Sequence, residues 1–99
     1  MLSREDFIFT IGYDGPAAVI DGQAKKRYSS LSTRELAEKG LFRAACSSAI
    51  WSLIKANDSN ELEIVAEIYN KTAPKPVQAS SLQRLFGVFP VDVSRSIVL

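Results

Sequence analysis

Laid out at about 100° per residue, residues 41–56 sort into two faces, and that separation constrains the fold more than any other feature of the chain. Phe42, Ala45, Cys46, Ala49, Ile50, Leu53, Ile54 and Ala56 fall on one broad face, with Arg43, Ser47, Ser48, Ser52 and Lys55 opposite. An amphipathic helix of this kind must lay its apolar side on other elements, and its small residues permit a neighbour to come close. Helical neighbours are written on both sides of it. Ser32-Thr33-Arg34-Glu35 is a capping box, in which the serine hydroxyl caps an amide three residues on and the glutamate reaches back. The helix it starts, Thr33–Lys39, should stop at Gly40, which can take the left-handed conformation past a helix end. A third helix, from about Glu61 to Lys71, buries Leu62, Ile64, Val65, Ala66, Ile68 and Tyr69 and turns Glu63 and Glu67 outward. Ala73-Pro74-Lys75-Pro76 breaks it, because proline has no amide proton and stiffens the chain. Ser80 and Gln83 are spaced as a second capping box, for a short helix ending at Gly87.

The N-terminal third reads differently. Phe7, Phe9, Ile11 and Tyr13 alternate with Ile8, Thr10 and Gly12, and aromatic and β-branched residues at period two predict a strand. Asp14-Gly15 is suited to the positive φ of a tight hairpin turn, and Ala17–Ile20 is apolar enough to return alongside. Asp21-Gly22 repeats the turn chemistry before Gln23–Tyr28, which predicts a bulge or a turn into a third strand. The competing reading starts a helix at Pro16 and puts Ala17, Ile20, Ala24 and Tyr28 on one face. Gly22 in its middle would cost about 1 kcal/mol relative to alanine, so the hairpin is preferred. At the other end Phe89, Val91 and Val93 alternate like a last strand, or Asp92 caps a short terminal helix. Ile97-Val98-Leu99 is too apolar to remain free in water, so it is expected to dock on this chain or on another.

The expected architecture is therefore α+β: an N-terminal antiparallel β-hairpin or small sheet packed against three or more α-helices. Residues 1–99 are read as one domain, with a β region over about 5–29, a helical region over about 32–87 and an apolar segment over 88–99. A chain of 99 residues with 46% apolar side chains can bury a core of its own. Twelve lysines and arginines stand against 11 acids, a balance that argues against a general polyanion binder, though not against a local basic patch, and leaves little repulsion between copies. The charged start, Arg4-Glu5-Asp6, has no apolar stretch of the secretory kind. No segment approaches the roughly 20 apolar residues of a membrane span. A single cysteine permits no intrachain disulfide, and a cytoplasmic location is the expectation.

Chemistry-bearing residues are sparse. There is no histidine, which removes the commonest general base and imidazole ligand. Cys46 lies on the apolar face of its helix, where a thiol is inert. The acids Glu5, Asp6, Asp14 and Asp21 lack calcium-loop spacing, and Glu63 with Glu67 reads as solvated surface. No catalytic residue, cofactor site or metal site is assigned. Gly12-Tyr13-Asp14-Gly15 has glycines after a strand, as anion-binding loops do. It lacks the lysine and the glycine spacing of nucleotide motifs, so a turn is preferred and a small-ligand site there ranks third. Lys25-Lys26-Arg27-Tyr28 joins basic and aromatic groups, a combination that can neutralise phosphates and stack on bases.

Two partial resemblances run through the helical region. Thr33-Arg34-Glu35-Leu36-Ala37-Glu38-Lys39-Gly40-Leu41 resembles the start of a helix-turn-helix motif over 32–54; the resemblance implies DNA binding through the second helix. That helix is rich in alanine and serine rather than in base-reading side chains, and Ala37 to Gly40 is one residue shorter than the motif's register. Gly40-Leu41-Phe42-Arg43-Ala44-Ala45, then Ala49, Lys55-Ala56 and Ile68-Tyr69, is similar to the tetratricopeptide pattern over about 37–72. It implies an antiparallel helix pair.

The leading functional expectation is a non-enzymatic protein-interaction or regulatory module that self-associates, as a homodimer, or binds another protein. Its candidate interface is Trp51 with Arg43 and Lys55 on the polar side of the 41–56 helix, and the C-terminal Ile97, Val98 and Leu99. Tryptophan rising from a polar surface is a favoured interface anchor. The alternative is a small nucleic-acid-binding domain using Lys25, Lys26, Arg27, Tyr28 and Arg34.

Overall fold

In the computed structural model, which describes residues 3–88, 93 and 95–99, the fold is α+β, with an N-terminal hairpin in a three-stranded sheet and the rest mainly helical. The chain divides into two compact units. One comprises Met1–Ser30 with Pro90–Leu99, the other Leu31–Phe89.

The first unit opens with a short helix, α1 (Arg4–Ile8), where the apolar alternation predicts strand. Ser3 is its N-cap, with the hydroxyl accepting from the Asp6 amide at 3.2 Å, and Glu5 and Asp6 occupy the first turn. Carboxylates there suit the positive end of the helix dipole. Phe7, Ile8 and Phe9 are all buried. A period-two pattern has no meaning in a segment buried on consecutive residues, and the Ser3–Asp6 spacing was the signal that decides. Strand β1 (Thr10–Asp14) then pairs antiparallel with β2 (Ala17–Ile20). The turn between them is Gly15-Pro16, one residue later than Asp14-Gly15. Gly15 has φ of 57°, and proline holds φ near about −65°, so the turn is of the II′ kind, with glycine first.

Beyond Ile20 the sequence reading fails. Gln23–Tyr28 is neither a third strand nor the end of a helix begun at Pro16, but belongs to a separate helix, α2 (Gly22–Tyr28). Asp21 supplies the reason: its carboxylate accepts from the Ala24 amide at 3.1 Å, an N-cap rather than a turn. Lys25, Lys26 and Arg27 then sit in the last turn, where cations oppose the dipole's negative end. The third strand comes from the far end of the chain. Strand β3 (Arg95–Val98) lies parallel to β2, giving the order β1-β2-β3. Tyr13, Ala18 and Ser96 form one row across the sheet and Asp14, Ala17 and Arg95 the next. Val93 is outside any strand, and the readings placed on Phe89, Val91 and Asp92 lie outside the described residues.

The second unit is helical: α3 (Thr33–Glu38), α4 (Phe42–Ala56), α5 (Asn60–Asn70), a 3-10 turn (Ala79–Ser81) and α6 (Leu82–Phe86). The Ser32–Glu35 capping box is formed in both directions. The Ser32 amide and hydroxyl on its carboxylate, in that order, hold Glu35 below the usual carboxylate range. Helices α3, α4 and α5 pack on one another, and α6 on α4. Leu36, Cys46, Ile50, Val65 and Leu82 are the largest apolar side chains buried between them. Phe42, Tyr69 and Phe86 close one end of the unit, Tyr69 meeting the other two rings edge-on at 5.1 and 5.6 Å.

Two helical expectations need correction. The Ser80–Gln83 capping box is not formed: the 3-10 turn precedes α6, and the Ser81 amide bonds the Gln78 carbonyl at 2.9 Å. The buried face of α4 is also rotated from the apolar one. Ser47 and Ser48 are buried, whereas Ile54 is half exposed.

Candidate functional site

Strand β3 carries the most exposed apolar run of the described chain. Ile97, Val98 and Leu99 are 37, 56 and 71% exposed. Among the described residues they are held by β2 on one side only, since β3 is the outer strand of the sheet. The Leu99 amide bonds the Ile20 carbonyl at 3.0 Å and extends the ladder past Val98. Gly22 makes that close approach possible. A Cβ there would stand 2.4 Å from the Leu99 carbonyl oxygen and 2.8 Å from Val98 Cγ1, so only glycine fits beside the strand.

The other interface candidates lie on α4, in the helical unit. Trp51 is half-buried, with Lys55 Nζ 5.0 Å from its ring centroid, a cation–π contact within one helix. Arg43 is exposed but donates through Nε to the Phe86 carbonyl at 3.3 Å. Trp51, Arg43 and Lys55 are thus in one unit and Ile97, Val98 and Leu99 in the other.

The basic residues of α2 do not share one face of the helix. Lys25 is bound to Asp6, with Nζ 2.6 Å from Oδ1. Lys26 and Arg27 follow it at about 100° steps around α2, so consecutive charges point in different directions. Arg27 lies over the Tyr28 ring at 5.9 Å, and Arg34 is on α3 in the other unit. Gly12–Gly15 runs from β1 into its turn and leads to no helix N-terminus. A solvent-open cleft of about 500 Å³ lies along α5 between Glu63, Glu67 and Gln78–Ser80. Its wall is fixed by the Asn70 amide, which donates to the Val77 carbonyl at 2.8 Å and accepts from its amide at 2.9 Å.

A polar junction in the helical unit escaped the sequence reading. Buried Thr33, at the start of α3, shares a 2.7 Å hydrogen bond with buried Ser48 of α4 and donates to Glu61 of α5. The second oxygen of Glu61 accepts from Ser52 at 2.5 Å. Two hydroxyls on one carboxylate tie three helices together, and no buried side-chain polar atom is left without a partner among the described residues. Serines spaced four apart on α4 were the available signal, but nothing local says that Glu61 arrives opposite them.

Cys46 is fully buried, and burial pushes its thiol up to about 11 from an ordinary 9.0. It should label slowly in the native protein and at once in denaturant. The unfolded thiol ionises near 9 while the native one holds its proton to about 11. Stability therefore falls as pH rises through that window, because the unfolded state binds fewer protons there. Denaturation midpoints of the wild type and Cys46→Ala from pH 8 to 11 check this, the expected result being a shallower decline in the variant.

Among the described residues no helix is long and apolar enough to cross a membrane, and no three of His, Cys, Asp and Glu come together as a metal group. Comparison with family models, with curated proteins and with solved structures finds no match.

Proposed function

We propose that this chain is a non-enzymatic interaction module that self-associates, with β3 as the centre of its contact surface. The supporting observation is the exposed apolar run Ile97-Val98-Leu99 on an outer strand. Apolar side chains on an open sheet edge recruit further strands unless charge, proline or a bulge discourages them. A net charge of +1 adds little repulsion between copies. Trp51 is the second candidate on the same reading, already partly occupied by Lys55.

Light scattering across a concentration series tests the reading, with the wild type expected to be dimeric at micromolar concentration. Ile97→Lys is expected to weaken association by about 30-fold, the equivalent of losing an anchor of about 2 kcal/mol, with the circular dichroism unchanged. Trp51→Ala is expected to have the smaller effect. The reverse order would move the interface to α4, and a wild type that stays monomeric at high concentration ends the proposal. The nucleic-acid alternative rests on exposed Lys26 and Arg27 beside Tyr28, and would appear instead as oligonucleotide binding that falls steeply with salt.

A further inference from the structure

We infer that two copies join through β3 itself, antiparallel across a two-fold axis at Ile97, so that the two sheets become one; this rests on the self-association reading above. The backbone sets the register. In a strand the N–H and C=O of successive residues point to alternate sides. The Leu99 amide points at β2, bonding Ile20, and by alternation so do those of Ile97 and Arg95. The N–H and C=O of Ser96 and Val98 therefore face the open edge. An antiparallel mate satisfies all of these groups in both strands when Ser96 lies opposite the partner's Val98, which places Ile97 opposite the partner's Ile97. That is a non-hydrogen-bonded pair, where side chains come closest.

Charge and topology agree with this pairing. Antiparallel strands set Arg95 opposite the partner's Leu99 and keep the two guanidinium groups at opposite ends, whereas parallel strands would set them side by side. The other edge of the sheet is unsuited to the same role. Strand β1 has a register shift between Thr10 and Gly12, and a bulge of that kind interrupts pairing at an edge. The ladder of β3 on β2 runs without such a break from Arg95 to Val98. With one open edge per copy the contact uses the same patch on both subunits and closes at two.

The test is a cysteine placed at the axis. Ile97→Cys should form an intermolecular disulfide on mild oxidation, because residues facing each other in such a pair have Cα atoms about 4.5 Å apart, within disulfide range. Ser96→Cys should not, since it faces the partner's Val98, and the wild type with buried Cys46 is the blank. Ser96→Pro removes only an outward amide, so it should yield a monomer that retains its circular dichroism. A dimeric wild type in which Ile97→Cys fails to cross-link and Ser96→Pro stays dimeric would overturn the β3 pairing alone. A monomeric wild type would overturn the self-association reading with it.

Discussion

Glu61→Ala is expected to cost the fold about 3 kcal/mol, since it removes a carboxylate that accepts from two hydroxyls. Thr33 and Ser52 both lose their charged acceptor. Thr33 keeps only Ser48, and the three helices lose the group that joins them. Glu61→Gln retains an acceptor oxygen and should cost about half as much, because hydrogen bonds to charged groups are worth roughly twice neutral ones. Urea denaturation of both variants reads this, and a cycle with Thr33→Val should show strong coupling, as residues of one network do. A cost below about 0.5 kcal/mol for Glu61→Ala, the range of ordinary surface changes, would reduce the junction to solvated surface.

Gly22→Ala is the second large effect, expected at about 1–3 kcal/mol, the range for forcing a methyl group into a filled site. The new Cβ meets the Leu99 backbone at 2.4 Å, so strand or helix must give way. Helix α2 is pinned by the Asp21 cap and by Lys25 on Asp6, and among the described residues β3 is held from one side only. The expected result is release of β3, with rapid amide exchange at Ile97 and Leu99, and at Ala18 and Ile20, whose amides face β3, while Ala17 and Val19, whose amides face β1, stay protected. Association should fall with it if β3 is the contact. Unchanged exchange at Leu99 would show that the close approach is absorbed elsewhere.

Elements coded by neighbours in the chain were legible from the residues. Ser32 and Glu35 are three positions apart and close their own box. Gly15 supplies the one positive φ the hairpin needs, and α4 follows from a pattern repeated over four turns. Where two local readings competed, the cap decided. Asp21-Gly22 and Ser3–Asp6 both serve helices, because an aspartate or serine oxygen that satisfies a helix amide leaves no reason to turn back into a strand. The candidate surface was half legible: Ile97, Val98 and Leu99 were expected to dock, but not on which partner.

By itself, then, the sequence determined the α+β class, the turn at Gly15 and the places where α3 to α5 begin and end, since capping and periodicity act within a few residues. Tertiary structure alone decided which side of α4 is buried. Ser48 and Ser52 turn inward because Thr33 and Glu61, from helices on either side in the chain, meet them with hydrogen-bonding atoms; a hydroxyl is polar surface or core according to what faces it. Tertiary structure alone also decided that β2 receives Arg95–Val98 as its parallel mate. The hydrogen bonds of a strand carry no record of the partner's place in the chain, and the glycine that lets Leu99 approach α2 resembles any turn glycine until the strand is seen beside it.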